Sequence, residues 1–319
     1  MVSSIQFLCC FFYITTCVRA RHLWSEDLPQ VSNIVLEKGK PINLGKNYDK
    51  VQISGLNGTL YSDSLSQLQT VTELKIHRNQ IREIEKGALC SSPALRVLEL
   101  EFYTNIKLPV FTRDAFDSCD NLEELLLKFD DNDVGNPPLI NQDAFGNLPR
   151  LQKLALQGYR IPHMTKHFLK ISHDSLTALI FSFCHIQRID SDVFDDFKNL
   201  EEVIITHNPE WSRLPTDIFK NLSKLKKLVL RDNNLQGLSW DEFQGLSSLR
   251  ELNLVDNQIS SFDVDKIAKY MPGLEDLQIE INPAPCKQKE AFVSQLKTKL
   301  NHSVEVSYKF GFYDSCEED

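Results

Sequence analysis

Histidine is the residue whose spacing comes nearest to a reactive site in this chain. His163 and His167 stand four residues apart in HMTKH, and His173 follows shortly after. Two histidines at this spacing on one helical face can hold zinc, but a metalloprotease site also needs the glutamate of H-E-x-x-H, which is absent. We therefore interpret the stretch as polar surface.

Other patterns that support catalysis are incomplete as well. No G-x-S-x-G turn exposes a serine nucleophile, and no glycine-rich loop could hold a phosphate. Asp130, Asp131 and Asp133 carry ligands suited to calcium, but their spacing matches no known calcium loop. The sequence thus predicts a protein that is not an enzyme and that uses no cofactor or metal.

Charge and hydropathy restrict the partners and the compartment. The 319 residues are 42% hydrophobic, with a formal net charge of -9 and no basic stripe, which argues against nucleic acid and anionic membranes as partners. Residues 1–20 contain a short apolar run that ends in small residues, as in a signal peptide cleaved after Ala20. No later stretch is long enough to span a membrane. We expect a secreted, extracellular chain.

An internal repeat decides the fold class. The segments VTELKIHRNQI (71–81), LKKLVLRDNNL (225–235) and LRELNLVDNQI (249–259) share the pattern L-x-x-L-x-L-x-x-N-x-L, with other aliphatic residues replacing some leucines. Its second leucine recurs every 24 to 29 residues, at Leu74, Leu98, Leu125, Leu154, Leu179, Val203, Leu228, Leu252 and Leu277. A period of this length indicates a solenoid of stacked turns.

The pattern resembles the leucine-rich repeat family, and in particular secreted and cell-surface members such as Toll-type receptor ectodomains. The resemblance implies an α/β solenoid shaped like a horseshoe, with a concave parallel β-sheet and about nine to ten repeats. We expect repeats over residues 51–282, an N-terminal cap over 21–50 and a C-terminal cap over 283–319.

Each position of the repeat has a physical role. The leucines point inward and stack turn upon turn, while the asparagine turns inward after the strand, where its amide can bond backbone groups left unpaired by the bend. Cys184 occupies the asparagine position of its repeat, where a small, weakly donating thiol is accepted. A phenylalanine in each DAF, DVF, DIF or DEF segment is expected to fill the convex side.

The remaining cysteines and the sequons suit a secreted solenoid. The resemblance implies a C-terminal cap held by a Cys286–Cys316 disulfide. Cys90 and Cys119 lie on the convex side of adjacent repeats, where they either form a bridge or remain buried thiols. Glycan acceptor sequons begin at three asparagines, Asn57, Asn221 and Asn301.

The strand position between the two leucines points out onto the concave face. From end to end it reads Lys75, Glu99, Leu126, Ala155, Ile180, Ile204, Val229, Asn253 and Gln278, so that its middle five members are apolar. Beside it we expect three outward phenylalanines, Phe102, Phe129 and Phe183. An apolar stripe of this extent, rimmed by charge, is on the scale that marks a binding surface.

We therefore predict a recognition protein that binds a protein, or a pathogen-surface or lipid-like ligand, through its concave face. The family resemblance implies innate immunity or a soluble receptor-like decoy. Two alternatives remain open: a matrix or adhesion component in which one copy of the chain binds another, and an inhibitor or non-catalytic subunit of an enzyme.

Overall fold

The computed structural model describes residues 30–103, 111, 113–130, 137–140, 144–145, 148–168 and 174–308. The predicted signal peptide, residues 1–20, lies outside this set. Within these ranges, fifteen short strands and two α-helices make up most of the regular structure. The strands are β1 (Gln30–Ser32), β2 (Lys50–Ser54), β3 (Asn57–Leu60), β4 (Glu73–Ile84), β5 (Val97–Tyr103), β6 (Glu124–Asp130), β7 (Lys153–Gln157), β8 (His163–Met164), β9 (Ala178–Ser182), β10 (Arg188–Ile189), β11 (Glu202–Thr206), β12 (Lys227–Val229), β13 (Glu251–Asn253), β14 (Asp276–Gln278) and β15 (Glu305–Ser307); the helices are α1 (Val264–Tyr270) and α2 (Cys286–Leu300).

The main sheet is parallel, and each of its strands pairs with a strand from the next turn of the chain. Twelve strands lie in the order β1-β2-β4-β5-β6-β7-β9-β11-β12-β13-β14-β15, while β3 pairs with β4 and β8 with β10. The register aligns the repeat positions, so that Leu74 lies opposite Leu98 and Leu98 opposite Leu125. This stacking is the leucine-rich repeat solenoid predicted from the period.

Asparagine side chains join neighbouring turns inside the solenoid. Asn257 accepts the backbone N–H of Leu235 at 3.1 Å and donates to the carbonyl oxygen of Leu230 at 2.9 Å. Asn282 makes the matching bonds to Ile259 and Leu254 one turn later. Because these bonds satisfy backbone groups that the bend would leave unpaired, the inward asparagine is structural, as predicted.

Phenylalanines fill the space between the sheet and the convex side. Phe194, Phe219 and Phe243 are buried at successive turns, with ring centroids 6.2 and 6.1 Å apart. The chain of aromatic contacts continues from Trp240 through Phe262 to Phe292 of α2. The C-terminal helix is thereby attached to the last turns of the core.

Phe102 and Phe129 do not face outward, and this part of the prediction is wrong. Both side chains belong to the main core, where Phe102 packs edge-on against Phe111 with centroids 5.8 Å apart. Elsewhere a residue with left-handed backbone, such as Arg78 (φ 49°), turns the following asparagine inward. β5 and β6 run straight for seven residues without such a residue. Because side chains alternate between the two faces of a straight strand, both phenylalanines point into the core.

The asparagine position of β5 is consequently filled by Phe102, which pairs with Asn79 in the sheet. In the next turn but one, Gly158 supplies the left-handed residue (φ 77°) and Tyr159 is buried after it. A Cβ at residue 158 would meet the carbonyl oxygen of Phe129 at 2.1 Å, so the turn requires glycine.

Both predicted caps add strands to the sheet. β1 pairs with β2 at one end, and β15 pairs with β14 at the other, where Val306 takes the register of Leu277. α2 buries Phe292 and Leu296, among others, against the last turns. The end turns therefore share one continuous core with the repeats.

Candidate functional site

The histidines of HMTKH do not lie on one helical face. His163 is in the two-residue strand β8, whereas His167 is exposed in the turn that follows. Nε2 of His163 lies 2.8 Å from Oδ1 of Asp190, and this hydrogen bond holds the pKa of the carboxyl below its ordinary value. His173, Asp131 and Asp133 lie outside the described residues, as does the side chain of Asp130. Among the residues that the structure describes, no three histidine, cysteine or acidic side chains are grouped to hold a metal.

Cys90, Cys119 and Cys184 lie within the repeats. A disulfide joins Cys90 and Cys119, whose Cα atoms are 5.1 Å apart, so the bridged alternative is the one adopted. Cys184 is a fully buried free thiol whose Sγ donates to the carbonyl oxygen of Leu156 at 3.4 Å. Burial raises its pKa to about 12, which leaves it protonated.

Cys286, the first residue of α2 in the predicted C-terminal cap, is disulfide-bonded. Its predicted partner, Cys316, lies outside the described residues, so the Cys286–Cys316 pairing stays a prediction. The sequon asparagines Asn221 and Asn301 are exposed, and Asn57 is partly exposed in β3. None of these three asparagines lies on an outward position of the concave strands.

The apolar stripe is present on the concave face, but solvent hardly reaches it. Leu126, Ala155, Ile180, Ile204 and Val229 are in register on five adjacent strands and form a cluster separate from the main core. They are only 2–7% exposed. Each is surrounded by its neighbours in the stripe and by the outward residues two positions before and after it, which explains the burial.

Two lysines flank a buried glutamate beside the N-terminal end of the stripe. Oε1 of Glu99 lies 3.2 Å from Nζ of Lys75 and 2.5 Å from Nζ of Lys128. Burial of Glu99 would raise its carboxyl pKa, but the two lysines outweigh that effect and hold the pKa below the ordinary value.

A second row of side chains runs along the edge of the concave face, and we call it the edge row. Its members immediately precede the inward position of five consecutive turns and all have left-handed backbone: Phe183, His207, Asp232, Asp256 and Ile281. Their order in space follows from the backbone, because Phe183 donates its N–H to Thr206 and Asp232 donates to Val255 of the next turn.

Two rings stack at the start of the edge row. Phe183, which is partly exposed, lies on the imidazole of His207 with centroids 4.1 Å apart and planes at 19°. Nε2 of His207 is 3.1 Å from Oδ2 of Asp232 but lacks the geometry of a hydrogen bond. Burial lowers the pKa of His207 to about 4 despite this carboxylate, so the imidazole is neutral at pH 7.

Carboxyl groups lie close together along the edge row and at the strand positions beside it. Burial, a hydrogen bond with Asp232 and the charge of Asp232 raise the pKa of Asp256 to about 6. Burial and the nearby Asp276 likewise raise the pKa of Glu280, whose Oε2 has no hydrogen-bond partner among the described residues. Nε of Arg231 lies 2.5 Å from Oδ2 of Asp232.

Sequence reasoning did not single out His207, Asp232, Asp256 or Glu280. A signal was available, because THN, RDN and VDN each place a polar residue directly before the inward asparagine. The left-handed turn that brings those residues to the concave edge is a property of the folded backbone.

Comparison with known proteins agrees with this architecture. Residues 198–259 match the family model described as "Leucine rich repeat". The CD180 antigen of Mus musculus is 30% identical over 169 residues, which are 52% of this chain and 23% of the CD180 sequence. The chain thus spans about a quarter of the length of that relative.

Two solved structures share the fold. A chain from the crystal structure of the TLR13–ssRNA13 complex superposes with a TM-score of 0.58 at 21% identity, over 81% of this chain and 35% of that one. A chain of the Toll–Spatzle complex, described as a molecular hub in Drosophila development and innate immunity, superposes with a TM-score of 0.52 at 18% identity. The match covers 73% of this chain and 34% of that one. Among the described residues of our chain, no helix is long and apolar enough to cross a membrane. The chain thus folds as a leucine-rich repeat solenoid that is similar to Toll-type receptor ectodomains.

Proposed function

We propose that this protein is a non-enzymatic, extracellular recognition protein that binds a protein partner through the concave face of its solenoid. The observation that carries the proposal is the cluster from Leu126 to Val229, which lies in register on the concave side and outside the main core. A solenoid needs its inward columns to fold, but it does not need five apolar residues in register on the opposite face.

The stripe forms the buried base of the concave face, and the residues beside it would make the contacts with a partner. Because the five apolar residues are almost inaccessible, a partner would touch the partly exposed residues around them, such as Lys153, Gln157, Phe183 and Glu202. Phe102 and Phe129 take no part, since both lie in the core.

The sequons support the choice of the concave face. Glycans on Asn57, Asn221 and Asn301 would extend from other surfaces and would leave this face open. A role in innate immunity, as a receptor-like or decoy protein, is supported by the likeness to CD180 and to the Toll–Spatzle complex, since the latter is a hub of innate immunity. The acidic charge of the chain favours a protein partner over RNA, the ligand named for TLR13.

A charge-swapped pair of variants tests the proposal. Lys153→Glu/Glu202→Lys changes the concave face without altering net charge, while the control Asp192→Lys/Lys198→Glu makes the same change on the convex side. Each protein is immobilised, exposed to extracellular fluid from the source organism and cross-linked, and the captured proteins are identified by mass spectrometry.

We expect a partner that the wild type and the control retain and the concave variant loses. Equal capture by all three proteins, or loss only in the convex control, would contradict concave-face binding. Capture of the chain itself, with a mass in solution that grows with concentration, would replace this proposal with self-association.

A further inference from the structure

The two halves of the concave face differ in charge balance. Over β4 to β7, the outward strand positions whose side chains the structure describes and Arg78, the edge position of β4, carry four cations (Lys75, Arg78, Lys128 and Lys153) and four acidic residues (Glu73, Glu99, Glu101 and Glu124). Over residues 225–282, all of which the structure describes, the outward strand positions and the edge row carry two cations, Lys227 and Arg231. The same positions carry five acidic residues, Asp232, Glu251, Asp256, Asp276 and Glu280.

The two cations do not neutralise this half. Nζ of Lys227 lies 3.1 Å from Glu251 and 4.0 Å from Glu202, and Arg231 is paired with Asp232. His207 adds no positive charge at pH 7, because burial keeps it neutral. The Asp232–Asp256 pair is therefore left with less positive charge than its two carboxylates require, as the raised pKa of Asp256 also indicates.

The ends of the edge row are apolar and accessible. Ile281 is 42% exposed, and Phe183 is partly exposed with one ring face against His207. Between them, the side chain of Asp232 is only 14% exposed, so the acidic centre is recessed. The row thus presents an apolar end, a recessed acidic centre and a second apolar end.

The dimensions suit an extended peptide. Four strand spacings of about 4.8 Å separate Phe183 from Ile281, which gives roughly 19 Å along the sheet. An extended chain advances about 3.3 Å per residue, so a segment of about six residues covers the row. Long basic side chains can reach a recessed carboxylate while their stems stay against apolar surface.

We propose that the edge row binds an extended segment of a protein partner, with a basic side chain directed at Asp232 and Asp256 and apolar side chains against Phe183 and Ile281. This inference rests on the proposed function, since it assigns the chemistry of one part of the same face. Charge complementarity selects the occupant, because an anionic ligand would meet more carboxylates than cations on this half of the face.

Synthetic peptides test the assignment directly. The probe is Phe-Ser-Arg-Ser-Arg-Ser-Phe with blocked ends, in which the phenylalanines and arginines all point to one face when the chain is extended, and its counterpart has glutamates in place of the arginines. Isothermal titration calorimetry at physiological salt measures each peptide against wild type, Asp232→Asn/Asp256→Asn and the convex control Asp192→Asn/Asp217→Asn. Both double variants remove two negative charges, and asparagine tolerates the left-handed backbone of the edge-row positions.

We expect the arginine peptide to bind the wild type and the convex control equally, and to bind the edge-row variant about tenfold more weakly, as is typical when a charge pair is lost. The glutamate peptide should not bind. Ile281→Ser, which leaves every carboxylate in place, should also weaken binding of the arginine peptide. This variant provides the test if the aspartate variant fails to fold.

Absence of binding to the wild type, equal loss in both double variants, or equal binding of the glutamate peptide would overturn the assignment. None of these results would affect the capture experiment with Lys153→Glu/Glu202→Lys, which alters a different part of the face. The failure of this inference is therefore distinguishable from the failure of concave-face recognition.

Discussion

Phe183 stacks on His207 of the following turn of the solenoid, with ring centroids 4.1 Å apart and planes 19° apart. Two residues that are distant in the chain thereby share one contact at the concave edge. The phenylalanine covers an imidazole that is already kept neutral by burial. Both residues have left-handed backbone, at φ 55° and 59°, which is uncommon for bulky side chains.

Replacement of Phe183 by asparagine separates the stack from the backbone conformation. Asparagine adopts the left-handed region more readily than phenylalanine, so we expect stability to change by less than about 1 kcal/mol. Loss of the covering ring should expose His207 and raise its pKa from about 4 towards its ordinary value. An NMR titration of the imidazole Cε1–H signal, assigned with His207→Gln, measures this shift; an unchanged pKa would mean that other groups bury the ring.

Asp256→Asn should raise the melting temperature more at pH 7.5 than at pH 4.5. The folded pKa of Asp256, about 6, is above its ordinary 3.8, so the stability that protonation of this group provides is present at low pH and is lost as pH rises through about 6. The side-chain amide of asparagine does not ionise, so the variant keeps this stability as the pH rises. Asp217→Asn, an exposed left-handed aspartate on the convex side, is the control. A gain of equal size at both pH values would contradict the raised pKa.

Ile204→Ala should behave as a core truncation although the side chain is on the outward face. Ile204 is 2% exposed within the stripe, so we expect a loss of roughly 2 kcal/mol or more in the free energy of unfolding. Lys227→Ala, at a partly exposed outward position of the adjacent strand, should change stability by less than about 1 kcal/mol, as expected for a surface ion pair. Urea denaturation compares the two. Equal, small effects would show that the stripe is open to solvent.

Asn257→Ala removes a bond between turns. The backbone N–H of Leu235 and the carbonyl oxygen of Leu230 lose their side-chain partner inside the core, at an expected cost of about 1–3 kcal/mol. Asn199→Ala also deletes a side-chain bond to backbone, but at the surface, where water replaces it. The urea midpoint of the first variant should fall well below that of the second, and equal midpoints would contradict the structural role of the inward asparagine.

The thiol of Cys184 should be inert in the folded protein. Its burial and its pKa of about 12 leave almost no accessible thiolate at pH 8. We expect no labelling of this residue by a thiol reagent in native buffer and complete labelling in denaturant, as read by peptide mass spectrometry without reduction. Rapid native labelling would show that the turn containing Cys184 opens.

The sequence by itself determined the solenoid, the parallel sheet and the structural role of the asparagine position. These follow from one pattern, because residues that recur once per turn must stack and an inward amide must satisfy the same backbone groups each time. The five members of the apolar stripe could be named for the same reason, since their position relative to Leu74 and its equivalents does not change.

Only the tertiary structure decided which of these residues a partner could reach. Phe183 points outward because it adopts a left-handed backbone itself. Phe102 lies in a strand without such a residue and therefore points inward. The burial of Ile204 depends on side chains from neighbouring turns. The contacts among Phe183, His207, Asp232 and Asp256 likewise join residues from four successive turns. Their proximity, and the altered pKa values of His207 and Asp256, therefore arise only when the turns stack.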